Sequence, residues 1–159
     1  MGTNREADNS ENKMYLPKDL NLKVDYTNWN TGDLIIKKMA GEVEAKAFSS
    51  DLEPHDVTGP IIAHTLSSDL VVTMTTLSQD SPSSLSSTSG DIELSIPSST
   101  KGTFKMGTVS GGIYTDLDFD LGDKKAQRIG GMNSTGKLNG GGVEIALRSV
   151  SGNVYVRKR

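Results

Sequence analysis

The chain contains no cysteine, which excludes disulfides, thiolate metal sites, a thiol nucleophile and a lipid-bearing cysteine. Aromatic residues are scarce as well, at 5% of 159 residues, so a core has to be built from aliphatic side chains of modest size. A basic surplus is missing. The formal net charge is -3, whereas a protein that displaces counterions from phosphates carries an excess of Lys and Arg. The one short basic run, Arg157-Lys158-Arg159, reads as a solvated terminus, and no nucleic-acid partner is expected. No run of about 18 apolar residues occurs, which leaves nothing able to span a bilayer as a helix. Nor does any segment combine a helical apolar period with a capping residue, so helix is expected to be nearly absent.

What is plentiful is glycine, with 17 residues, and short runs in which apolar and polar residues alternate. Alternation with a period of two is the pattern of a strand that buries one face. Leu22, Val24 and Tyr26 alternate with Lys23 and Asp25, and Ile92, Leu94 and Ile96 alternate with Glu93 and Ser95. The longest run sets Ile113, Thr115, Leu117, Phe119 and Leu121 against Tyr114, Asp116, Asp118 and Asp120. Val143, Ile145 and Leu147 follow, then Val154 and Val156. From Ile92 onward these apolar positions are expected to be buried, Thr115 and Leu121 aside, with Glu93, Asp116, Asp118 and Glu144 exposed. Residues 1–15 read as a polar, disordered leader with almost nothing to bury against the entropy of ordering. Residues 16–159 read as one domain, with a loop or ragged strand at Gln79–Ser89 and a long exposed loop at 122–142.

The strands share an opening pattern: a small residue, a glycine, a turn residue and an aliphatic one. It occurs at Thr31-Gly32-Asp33-Leu34, Ala40-Gly41-Glu42-Val43, Thr58-Gly59-Pro60-Ile61, Ser89-Gly90-Asp91-Ile92, Ser110-Gly111-Gly112-Ile113 and Ser151-Gly152-Asn153-Val154. Ser68-Asp69-Leu70 is a copy without the glycine. Glycine at a fixed place before each strand implies a turn that a Cβ would disfavour. The spacing gives roughly ten residues to a strand plus turn and about twenty to a full return, the rhythm of a solenoid. A parallel β-solenoid with coils of about twenty residues is therefore expected, with an antiparallel β-sandwich as the alternative. In the solenoid, Ile92 and Ile113 would stack on neighbouring rungs. In the sandwich, Ile92–Ile96 would pair with Thr103–Met106 as a hairpin.

The last third carries a more particular pattern. Ser89-Gly90-Asp91-Ile92-Glu93-Leu94-Ser95-Ile96-Pro97 is followed by Val109-Ser110-Gly111-Gly112-Ile113, then by the glycine-rich Gly136–Leu147 stretch. Ser149-Val150-Ser151-Gly152-Asn153-Val154-Tyr155-Val156 closes the chain. From about Asn21 onward the chain resembles the bacterial putative-adhesin domain family, of the domain-of-unknown-function 4097 type. That resemblance implies a right-handed parallel β-helix and an uncharacterised, envelope-associated protein. It carries no catalytic motif across.

Residues with chemical potential are few. Gly131-Met132-Asn133-Ser134-Thr135-Gly136-Lys137 has the frame of a phosphate-binding loop. Leu138 stands where the Mg²⁺-holding Ser or Thr belongs, and Asn139-Gly140-Gly141-Gly142 cannot open the required helix. Asp116, Asp118 and Asp120 have the alternate spacing of calcium ligands, but Leu121 and Gln127 occupy the places that need Gly and Glu. They read as the solvated face of a strand, with a weak calcium site left open. Glu53, His55, Asp56 and His64 form the one cluster with imidazoles, and the two histidines need not face each other. Trp29, Tyr114 and Tyr155 are candidates for stacking on sugars.

The expectation is therefore a non-enzymatic envelope or extracellular scaffold, with an export signal upstream of Met1 and a cytoplasmic location as the alternative. Its partner would be a surface protein or polysaccharide, and no catalytic residue, metal or cofactor is expected. A carbohydrate-active β-helix protein, a lyase or hydrolase, is the competing function.

Overall fold

The computed structural model describes residues 13–26, 32–120 and 132–159, and Met132 for its backbone alone. The leader expected at 1–15 lies outside them up to residue 12, as does Trp29. The described residues are all-β, and the chain winds between two sheets that share one core. Each coil gives one strand to each sheet. The first four coils are β1 (Leu22–Tyr26) with β2 (Leu34–Lys37), β3 (Val43–Ala47) with β4 (Leu52–His55), β5 (Ile61–Thr65) with β6 (Leu70–Thr73), and β7 (Ser83–Ser87) with β8 (Ile92–Ile96). Then come β9 (Gly102–Thr108) with β10 (Ile113–Thr115), a lone β11 (Met132–Leu138), and β12 (Glu144–Ser149) with β13 (Val154–Lys158). All pairings are parallel except β9 with β11.

The rungs do not follow sequence order. One sheet runs β1-β3-β5-β7-β12-β9-β11 and the other β10-β13-β8-β6-β4-β2. After the fourth coil the chain leaves one rung empty, builds β9 and β10 outside the gap, and returns to fill it with its last coil. Ile92 and Ile113 are therefore not neighbours: Val154 lies between them, in register with both. The expectation of adjacent rungs fails because a shared opening pattern marks a corner of the coil and says nothing of the rung. The hairpin alternative fails too, because β8 pairs with β6 and β13, both parallel. Gln79 holds the inserted coil in place. Its side-chain N–H groups donate to the Leu77 and Lys101 carbonyls, while its oxygen accepts from Val143 N–H at 3.0 Å.

Burial follows the alternation. Ile92, Leu94, Ile96, Ile145, Leu147, Val154 and Val156 are fully buried, whereas Ile113, Phe119 and Val143 are half-buried against the core. Glu93 and Glu144 point outward but are only partly exposed, since Arg157 and Lys105 lie against them. The corner glycines Gly41, Gly59, Gly90, Gly111 and Gly152 are required by close approach. A Cβ on Gly90 would stand 2.1 Å from the Ser68 carbonyl oxygen, and one on Gly152 equally close to that of Gly90. Neighbouring coils pack backbone on backbone at this corner, and none of the corner glycines needs a positive φ. Buried hydroxyls satisfy the same carbonyls: Thr65 donates to Ser68, Ser149 to Gly90 and Thr108 to Gly152. A second line of bonds runs up the neighbouring turn position. Asp51, Asp69 and Asp91 each accept the backbone N–H of the next rung, at residues 69, 91 and 153.

Of the two segments expected to be irregular, the one read as a loop or ragged strand contains a strand, and part of the one read as a loop is a strand as well. Ser83–Ser87 is β7, whose inward Ser83 accepts the Ile61 N–H. Met132–Leu138 is β11, so the loop expected at 122–142 is wrong for those residues, while 122–131 lie outside the described part. Conversely, the run expected from Ile113 to Leu121 is a strand only over Ile113–Thr115 in its described part, and Leu121 lies outside the described residues. Asp116 then accepts the Lys158 N–H at 2.6 Å, and Asp120 bridges to Lys137 on β11. The segment between crosses the end of the solenoid from one sheet to the other. Its alternation survives because Leu117 and Phe119 turn inward as a lid, with Phe119 edge-on to Phe104 at 5.0 Å.

Candidate binding face

The coil inserted last brings together two tyrosines that lie far apart in sequence. Tyr114 on β10 is in register with Tyr155 on β13, which is in register with Glu93 on β8. All three point away from the core. The tyrosine rings stack with centroids 5.3 Å apart and planes inclined by 19°. The Arg157 guanidinium sits 5.1 Å from the Tyr155 centroid, where the ring face attracts a cation, and its Nε lies 3.6 Å from the Glu93 carboxylate. Tyr114 is 54% exposed, and its ring leans back over Gly112, where a Cβ would fall 2.6 Å from the hydroxyl oxygen. The result is a stack of two rings flanked by a guanidinium on the outer face of one sheet, with two hydroxyls beside it. Such a patch offers aromatic surface and hydrogen-bonding groups together, the combination that packs against a sugar or a protein surface.

The other residues singled out from the sequence are dispersed. His55 on β4 and His64 on β5 lie on different sheets. His55 bonds Glu53 at 3.1 Å and Thr73 at 3.3 Å, while His64 bonds Ser86 at 2.9 Å. Asp56 turns at φ 55 beyond β4 and is paired with Arg159, whose guanidinium holds the carboxyl below its ordinary pKa. Arg159 also reaches Thr75 at 3.3 Å, so the basic end of the chain is not merely solvated. Asp116, Asp118 and Asp120 are exposed, but they lie on the crossing segment and form no strand face. No cluster of three metal-binding side chains occurs among the described residues. Lys137 sits in antiparallel β11 with its N–H on the Asp120 carbonyl, which is a strand and not a phosphate loop. Among the described residues no helix is long and apolar enough to cross a membrane.

The profile of the Toastrack family, DUF4097, matches residues 18–157. The chain belongs to the Toastrack family. No curated protein matches it. Among solved structures, the Toastrack chain is similar to a putative cell adhesion protein from Clostridium sporogenes, with a TM-score of 0.54 and 10% identity. The similarity covers 77% of this chain and 57% of that one, so the Toastrack coils span little more than half of the other protein's length. At that identity the likeness is one of fold. The Tyr114–Tyr155 pair was half legible: alternation placed both rings outward, but only the inserted rung makes them neighbours.

Proposed function

We propose that this Toastrack domain is a non-enzymatic binding module of the cell envelope or extracellular space, and that the Tyr114–Tyr155–Arg157 patch carries its contact with a surface polysaccharide or protein. The stacked tyrosine pair, with Tyr114 exposed and Tyr155 half-buried, is the observation that carries the reading, because two rings held on adjacent rungs are pre-organised for a partner. The engagement of the polar side chains supports a scaffold over a catalyst. His55, His64, Asp116 and Arg159 are each tied into bonds between rungs. The likeness to a putative cell adhesion protein supports the compartment.

The test is binding of the purified domain to isolated bacterial envelopes and to immobilised polysaccharides. Tyr114→Ala and Tyr155→Ala should each weaken retention about tenfold or more, as loss of a buried aromatic anchor does at a binding surface. Binding that is indifferent to both substitutions would sink the assignment of the patch. Release of new reducing or unsaturated sugar ends on incubation would overturn the non-enzymatic reading.

A further inference from the structure

Among the described residues the two ends of the solenoid differ, and the first coil is the less covered one. In their sheets β1 and β2 are the terminal strands, with no described strand beyond them. Leu22, Val24 and Tyr26 remain half-buried, whereas Val43, Ala45 and Ala47 one rung above are fully buried. Gly32 records the same vacancy. A Cβ there meets nothing within 4 Å, although Gly90, Gly111 and Gly152 each face the backbone of a neighbouring coil.

The outward groups of β1 can be read from its bonds. Leu22 N–H donates to Glu42 and Tyr26 accepts from Phe48, so the main-chain groups of 22, 24 and 26 face β3. Those of Lys23 and Asp25 consequently face the open side. The strand reads Leu-Lys-Val-Asp-Tyr, which is complementary to itself when reversed about Val24. An antiparallel copy would set Lys23 opposite Asp25 of the second copy, and Asp25 opposite its Lys23. These are the residues whose N–H and C=O groups are free to exchange both bonds of a pair. On the inner side Leu22 would meet Tyr26, and Val24 would meet Val24. The Lys23 side chain is 65% exposed and already reaches Glu44 at 3.5 Å, so it lies on the surface that would carry the charge pairing.

We propose that a second copy of this chain docks on the open first coil, with β1 pairing antiparallel to β1 about a two-fold axis at Val24. This inference stands apart from the ligand-binding reading. A parallel in-register partner would oppose like charges, which disfavours it. Head-to-tail stacking would bring the half-open first coil against an end already covered by Leu117, Phe119 and Leu138, so a closed dimer is favoured over a fibre.

The test is sedimentation equilibrium over a wide concentration range, with Lys23→Asp and Asp25→Lys made separately. The unaltered chain should associate to a dimer and no further. Each variant repels itself and should dimerise at least tenfold more weakly, while an equimolar mixture of the two should recover the dimer as a heterodimer. Melting curves and circular dichroism confirm that both variants fold. A chain that is monomeric throughout, with slow-exchanging amides at Lys23 and Asp25, would mean that another segment covers the edge, and the proposal falls. A dimer unmoved by either charge reversal, or variants that fail to recover on mixing, overturns it equally.

Discussion

At the far end of the solenoid, β9 packs Phe104 and Met106 inward, and the crossing segment lays Leu117 and Phe119 over them. β11 then extends the same sheet and buries Leu138. At the near end, β1 leaves its inward residues half-covered and Gly32 with open space. Both ends consist of the same coils, and they differ because, among the described residues, only the far end has a crossing segment and an extra strand laid over it. Stability in a stack of coils is close to a sum of terms for each coil and each interface. An end coil makes one such interface and an inner coil makes two. Because the last coil of the sequence is an inner one, the C-terminal residues are among the most deeply embedded, with Val154 and Val156 fully buried.

Deletion breaks this comparison most severely. Removing residues 142–159 takes out a coil with two interfaces and leaves β7 and β9 without the strand between them. Cooperative unfolding in urea should be lost. Removing residues 1–39 takes out one interface and exposes a further complete rung, so a cooperative transition should remain at a lower midpoint. If both truncations behave alike, insertion of the last coil does not set the stability of the stack.

Point substitutions sharpen the same contrast. Leu94 is fully buried on an inner rung, and Leu94→Ala should destabilise the domain by about 2–5 kcal/mol in urea melts. Val24→Ala, at the open rung, removes partly solvated methyl groups and should cost about 1 kcal/mol. Glycine gives the next test. Gly152→Ala forces a Cβ to 2.1 Å from the Gly90 carbonyl oxygen, so two coils must part, with an expected loss of about 1–3 kcal/mol. Gly32→Ala meets nothing and should stay within about 0.5 kcal/mol of the parent. A large loss at Gly32 would show that the near end is covered after all.

How far the sequence discloses this architecture depends on the chemistry of each strand. β8 is plain because Ile92, Leu94 and Ile96 face a dry core and Glu93 and Ser95 do not. β7 is obscure because its inward residues are Ser83, Leu85 and Ser87, and the two serines serve main-chain groups on adjoining coils. The coil length of about twenty residues was legible, since Leu34, Leu52, Leu70 and Ile92 stack in register. Rung order was not, because each coil offers the same edges and the same corner. The contacts that tie the inserted coil to its neighbours are long-range, as where Gln79 joins Lys101 to Val143. The tyrosine platform inherits that difficulty: its two halves are 41 residues apart and become neighbours only through the insertion.

The smallest effect concerns how the end of the chain is tied back across the stack. Arg159 follows β13, yet its side chain bonds Asp56, which follows β4, and Thr75, which follows β6. The Arg159 hydrogen bond, and then its charge, lower the Asp56 pKa. A carboxyl whose pKa is lower folded than unfolded adds stability above the unfolded value, and loses it as pH falls through the folded one. The contribution should thus be complete at neutral pH and fade below about pH 4, the ordinary range of an aspartate. Both groups are largely solvated, so salt should weaken the pair, and the gain at neutral pH should be slight. Asp56→Asn should lower the melting temperature a little at pH 7 and not at all at pH 2, with the difference shrinking in high salt. An equal loss at both pH values would mean that Asn fails at the left-handed turn of residue 56 rather than at the ion pair. Asn tolerates that conformation about as well as Asp does, so the pH-dependent outcome is the one expected.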